Sequence, residues 1–201
     1  MNNKIGKIGS IINAITVLAF AIFMLIDFSF GSYFVCIFLA LSFVLMIATF
    51  ENECTKENKV AGKVAMIFSA IYATLILIVY FTQCTTVQNE MLSDTAKQIL
   101  DYKRFGLLFN IDLLGYGMMA LSTFFIGLTI DIKSKQDKAL KILLLLHGIF
   151  FISCLIMPML GIFKPSDGTT TIGGVIAMEI WCLYFLPVGI LSYLHFNESK
   201  Q

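Results

Sequence analysis

The sequence predicts an all-α polytopic membrane protein, a bundle of six transmembrane helices. Apolar residues make up 58% of its 201 residues and the mean hydropathy is +0.87, values that exclude a water-soluble domain. The apolar residues form six long runs, and a helix needs about 20 such residues to cross roughly 30 Å of hydrocarbon. The runs are continuous rather than alternating, which favours helices over a barrel.

The predicted spans occupy almost all of one domain, residues 1–201. Backbone amides in lipid must be satisfied within their own segment, so each span should be helical. The apolar run of the first span continues to Ile26, which favours a retained anchor over a cleaved signal peptide. The six spans lie near residues 8–28, 32–50, 61–82, 107–130, 139–161 and 172–194.

The basic residues near the ends of the spans predict the orientation of the chain. Ten of them, Lys200 included, lie on the side of the two termini and four lie on the other side. The positive-inside rule therefore places both termini in the cytoplasm of a multi-pass cell-membrane protein. Arg104 is the only arginine beside thirteen lysines, a bias typical of an AT-rich bacterial genome. The net charge of +1 gives no argument for a nucleic-acid partner.

The longest connection between spans has the pattern of an amphipathic helix, over about residues 86–103. Its apolar residues recur four positions apart, and charged residues supply the other side. The apolar row consists of Val87, Met91, Thr95 and Ile99. Such a helix lies on a membrane surface, here the outer one. It would act either as a simple lid on the bundle or as a gate over an outward-facing cavity.

Ionisable residues inside the predicted spans are the best indicators of function, because each costs about 2.5–3.5 kcal/mol to insert. At 1.5 Å per residue, Asp112 lies about 9 Å and Glu179 about 6 Å outside the midpoints of their spans. With Asn110 and Tyr116 they predict a ligand-binding pocket in the outer half of the bundle. Glu179 is the deeper carboxylate and the leading candidate. Carriage of protons or sodium, and a purely structural role, remain open for both acids.

Two further features are candidates for other roles. His147 follows a leucine-rich run in the fifth span, where it would serve as a hydrogen-bonded core residue or a proton relay. The third span carries four small residues at four-residue spacing, which allow a neighbouring helix to approach closely. This small-residue stripe consists of Ala61, Ala65, Ser69 and Ala73. It would pack inside the bundle or dock a partner membrane protein or a second copy.

Motifs of known enzyme classes are absent from the sequence, which contains no HExxH, no Gly-flanked serine nucleophile and no phosphate-binding glycine loop. The five cysteines are scattered and form no CxxC pair, so we expect neither a metal nor a cofactor. We predict non-enzymatic binding or transport of a small solute or cation. The alternatives are a structural or regulatory subunit docking through the small-residue stripe, and an intramembrane or lipid-modifying enzyme using His147 with a carboxylate.

Overall fold

The computed structural model describes residues 2–88, 92–164 and 172–198. These residues form eight α-helices, one short 3₁₀ helix and no strand. The α-helices are α1 Asn2–Leu25, α2 Ser29–Glu53, α3 Lys59–Cys84, α4 Asp94–Leu100, α5 Leu107–Thr129, α6 Lys135–His147, α7 Phe150–Met159 and α8 Ile172–Glu198. With α6 and α7 taken as one stretch, six helices are long and apolar enough to cross a membrane. The predicted all-α class with six such helices is confirmed.

The helices extend past most of the predicted spans at their polar ends. The first begins at Asn2 rather than near residue 8, and the last continues to Glu198 rather than 194. Helical hydrogen bonds are local, so a helix continues into polar sequence until a residue breaks it. Asp27, with a φ of 52°, adopts the left-handed conformation just after α1 ends at Leu25.

The fifth predicted span, 139–161, is not one continuous helix, because Gly148 and Ile149 separate α6 from α7. The amide of Gly148 bonds to the carbonyl of Leu145, three residues back, as in a 3₁₀ turn. Helix α5 approaches closely here: a Cβ on Gly148 would lie 2.8 Å from the Cβ of Phe124. The break therefore accompanies a tight helix crossing that sequence periodicity does not reveal.

The connection predicted as a helix over 86–103 is helical only in part. Residues 89–91 lie outside the described residues, α4 covers seven residues, and a 3₁₀ helix spans Tyr102–Arg104. Ser93 caps α4 by accepting from the amide of Ala96 at 3.3 Å. Gly106 lets the connection fold back on itself, because a Cβ there would collide with the carbonyl oxygen of Gln98.

The six membrane-length helices form a closed ring. Each packs against the next along the chain, α6 packs against α8, and α8 packs against α1. Lys7 Nζ donates to Asn197 Oδ1 at 2.6 Å, so α1 starts and α8 finishes at the same end of the bundle. We call this the terminal end, and the end that carries α4 the opposite end. Lys200 lies outside the described residues.

The small-residue stripe of α3 lies inside the ring. Ala65 and Ser69 are fully buried and Ala73 is nearly so, while Ala61 is half-buried. Ser122 of α5 donates to the carbonyl of Ala65 at 2.8 Å, as close approach of the two backbones permits. The stripe therefore packs α3 against α5, and its central residues present no exposed surface to a partner.

We expect Gly106→Ala to destabilise the protein by about 1–3 kcal/mol, because the new methyl group must displace the backbone of the connection. Gly173→Ala is the matched control, since nothing among the described residues lies within 4 Å of a Cβ at that position. Thermal unfolding in detergent would measure both variants. Equal melting temperatures would contradict the packing described for Gly106.

Candidate functional site

Four tyrosines lie around Asp112 near the opposite end of the bundle. Tyr33 comes from α2, Tyr80 from α3, Tyr102 from the 3₁₀ helix and Tyr116 from α5. The ring centroids of the first three are 5.8–6.2 Å apart, so these rings pack against one another. We call Asp112 with these four residues the tyrosine cluster.

The Asp112 side chain is only 1% exposed. The phenol groups of Tyr80 and Tyr102 lie near its carboxyl group. Among the described residues no donor reaches its Oδ1 atom. One acceptor of a deeply buried carboxyl group is therefore unused, and a proton or a bound cation would satisfy it.

Gln83 attaches the connection to the end of α3 and so positions Tyr102. Its side chain is fully buried. The Nε2 atom donates to the carbonyl of Leu100 at 2.7 Å, and Oε1 accepts from the amide of Tyr102 at 3.0 Å. The ring of Tyr102 also packs edge-on against Phe109 at 5.1 Å. The connection thus places an aromatic side chain beside Asp112, and the roles of lid and gate both stay predictions.

The structure brings together two of the four residues predicted to bind a ligand. Asp112 and Tyr116 lie one turn apart on α5, where Asp112 is buried and Tyr116 is half-buried. Asn110 lies two residues before Asp112, on the other side of the helix, and its side chain is exposed. The sequence interpretation placed Asn110 with Asp112 by depth alone and did not consider the helix face.

Glu179 lies outside the tyrosine cluster. Its side chain is half-buried, and among the described residues Oε1 is buried without a hydrogen-bond partner. Glu179 lies near the thiol of Cys182. The side chains near the carboxyl group of Asp112 are instead those of Tyr80 and Tyr102. The described residues of α7, and residues 172–180 of α8, contribute no buried side chain. Glu179 therefore lies in the least buried part of the ring.

His147 is buried in the core, where both of its ring nitrogens have partners. The indole N–H of Trp181 donates to Nε2 at 3.2 Å, and Nδ1 lies 2.8 Å from the hydroxyl of Thr123. That hydroxyl donates to the carbonyl of Ala120 at 2.8 Å. Because an indole N–H only donates, Nε2 must accept and Nδ1 must carry the proton.

The hydrogen bonds of His147 connect three helices, α5, α6 and α8. Tyr184 adds a bond to the carbonyl of Leu143 at 2.6 Å, between α8 and α6. Trp181 also packs edge-on against Tyr116 at 5.4 Å and so adjoins the tyrosine cluster. A neutral imidazole with a hydrogen bond on each nitrogen suits a packing role. The proton relay predicted for His147 stays a prediction.

A second polar cluster, which the sequence did not predict, lies at the terminal end. His195 Nδ1 is 2.6 Å from Asp137 Oδ1, and His195 Nε2 is 2.9 Å from Glu53 Oε2. These side chains come from α8, α6 and α2. A cavity of about 260 Å³ adjoins them, lined by Phe50, Glu53, Thr129, Ile130, Asp131, Lys133 and His195.

The electrostatics of this second cluster favour a charged imidazole. His195 follows the predicted span 172–194 and lies at the terminal end. Burial opposes its charged form, but hydrogen bonds and attraction from Glu53 and Asp137 outweigh burial and raise the pKa of His195 above its ordinary value. Burial likewise opposes ionisation of Asp137, but bonds from His195, Ser134 and the Lys133 amide lower its pKa.

Sequence reasoning missed Tyr33, Tyr102 and His195. Tyrosine is common at the ends of membrane helices, so its enrichment there indicated no site. His195 meets partners 58 and 142 positions away, and no local pattern encodes such contacts. Within the described ranges no group of three or more His, Cys, Asp or Glu side chains could hold a metal ion.

We expect Thr123→Val to destabilise the protein by roughly 1 kcal/mol, because the N–H of His147 would be left buried without an acceptor. Thr123→Ser keeps the hydroxyl and is the matched control. Unfolding in detergent gives the free energies, and ¹⁵N spectra of the His147 ring report its tautomer. A loss in Thr123→Ser with none in Thr123→Val would show that the methyl group, rather than the hydrogen bond, matters.

The comparisons with known proteins leave this site without a counterpart. No family model matches the chain, and neither a curated protein nor a solved structure is significantly similar to it. The proposals below therefore rest on the chemistry of these residues.

Proposed function

We propose that this chain is an integral membrane protein that binds a small cation in the outer half of its bundle, at Asp112 and the surrounding tyrosines. We also propose that the protein lies in the cell membrane of a bacterium, with both termini in the cytoplasm. Under that orientation the tyrosine cluster lies in the outer half of the protein. Binding could serve transport or sensing of a small solute.

The observation that carries this proposal is the buried Asp112 carboxyl group with an unused Oδ1 atom. A carboxylate at membrane depth is expensive, and its cost is met by a proton, a basic partner or a bound cation. The side-chain groups acting on Asp112 are the phenols of Tyr80 and Tyr102, and neither carries a positive charge. A cation would supply the missing charge.

The surrounding groups favour a cation that carries N–H donors or methyl groups, such as a small ammonium ion. Phenol oxygens and the carboxylate accept hydrogen bonds, and tyrosine faces attract cations by about 0.5–2 kcal/mol each. Three of the rings are already in contact, so a ligand must displace one of them. Tyr102 belongs to the connection rather than to a membrane-length helix, which makes it the ring to move.

The two alternative functions receive less support from the arrangement of side chains. A partner-docking role for Ala61, Ala65, Ser69 and Ala73 lacks an exposed surface, since the middle of the stripe is buried against α5. An enzymatic role for His147 lacks an adjacent carboxylate among its observed partners, which are Thr123 and Trp181. We therefore base the proposal on Asp112.

We expect Asp112→Asn to weaken cation binding at least about tenfold, because the neutral amide cannot pair with a positive charge. The probes are sodium, ammonium, methylammonium and tetramethylammonium, and the measurement is calorimetric titration of the protein in detergent. Glu179→Gln is the matched control, because Glu179 lies outside the tyrosine cluster and should leave affinity unchanged.

Two outcomes would count against this assignment. If none of the four probes binds the wild type, the cation proposal fails. If Glu179→Gln abolishes binding while Asp112→Asn keeps it, the site lies at Glu179 instead.

The orientation is tested separately. A fluorescent protein that folds only in the cytoplasm, fused after residue 201, should fluoresce in bacterial cells, because the excess of lysine lies on the terminal side. Fusion of the same reporter within 86–88, in the connection at the opposite end, should remain dark. The reverse pattern would overturn the proposed topology.

A further inference from the structure

We propose that His195 is a proton-operated latch, which ties the end of α2 to α6 and α8 and releases it when the imidazole loses its proton. This proposal is independent of the cation site at Asp112. The latch lies at the terminal end of the bundle, whereas the tyrosine cluster lies at the opposite end.

The hydrogen bonds of Asp137 fix the proton on one nitrogen of His195. Asp137 Oδ2 accepts from the amides of Lys133 and Ser134 and from the Ser134 hydroxyl, at 2.9–3.1 Å. A carboxyl group with one oxygen that accepts three hydrogen bonds is ionised. Its other oxygen therefore also accepts hydrogen bonds. The Nδ1 atom of His195, 2.6 Å from Oδ1, must therefore donate.

The second nitrogen of His195 responds to pH. A neutral imidazole protonated on Nδ1 has only a lone pair on Nε2, which would face the Glu53 carboxylate at 2.9 Å. Protonation converts that contact into a charge-assisted hydrogen bond. Loss of the proton therefore breaks the bond to Glu53 and leaves the bond to Asp137 in place, so only the end of α2 loses its link to His195.

Charged groups from the neighbouring elements favour the imidazolium. Glu53 of α2 and Asp137 of α6 contact it, and Lys7 of α1 binds Asn197, two residues further along α8. The connection before α6 places Asp131 and Lys133 on the wall of the adjoining cavity, and α8 itself carries Glu198. The two contacting carboxylates outweigh the more distant lysines.

Release of the latch would alter the cavity at this end. Glu53 is the last residue of α2, and Phe50, one turn earlier, has its ring 5.3 Å from the His195 ring. Both line the cavity beside His195. The link is intact below the titration midpoint of His195 and is lost as pH rises through that midpoint, which exceeds the ordinary value of about 6.5.

The test is ¹⁵N NMR of the full-length protein in detergent micelles as a function of pH. The chain has only two histidines, so His147 and His195 can be assigned by replacing either one. The wild type should show His195 titrating above pH 6.5 and leaving Nδ1 protonated at high pH. A midpoint below 6.5, or a proton on Nε2 at high pH, would overturn the latch without any Glu53 variant.

Two variants then isolate the bond to α2. Glu53→Gln offers an amide N–H to neutral Nε2, so the midpoint of His195 should fall and the dependence on pH should weaken. Glu51→Gln is the matched control, because Glu51 pairs with Lys59 at 2.8 Å rather than with His195. Hydrogen exchange of residues 50–58 should rise above the midpoint in wild type and Glu51→Gln only. An unchanged midpoint in Glu53→Gln would refute the link.

Discussion

Polar side chains inside this ring of helices must find their partners within the chain, because neither an apolar core nor hydrocarbon supplies donors or acceptors. The molecule meets this constraint to different degrees at three side chains. His147 has a partner on each nitrogen, and so it joins α5, α6 and α8 as a neutral group. His195 has two carboxylates, which suit only its charged form. Asp112 keeps one oxygen without a partner among the described residues.

These differences indicate where the chain can respond to something outside itself. A fully satisfied group such as His147 gains nothing from a ligand, since any new bond replaces an existing one. The unused oxygen of Asp112 and the bond between Glu53 and His195 that we propose to depend on pH are places where a cation or a proton would add an interaction. The two responsive groups lie at opposite ends of the bundle, joined by an aromatic core that includes Tyr116 and Trp181.

Much of the architecture could be predicted from the sequence, because it follows from local composition. Six long apolar runs gave the six helices, and Asp112 and Tyr116 were placed on one face by their spacing along α5. The break at Gly148 could not be predicted, because it depends on how closely Phe124 approaches from another helix. Tyr102 and His195 escaped notice for the same reason: their partners lie far away in the chain.

The closed ring also determines an order of events during synthesis. The helices that carry Tyr33, Tyr80 and Asp112 all precede residue 130, so the tyrosine cluster can assemble while α8 is still being translated. The ring cannot close until α8 emerges and packs on α1, the first helix made. Until then α1 lacks its contact with α8 and packs mainly against α2. A ribosome stalled before residue 172 would therefore leave an open crescent of helices.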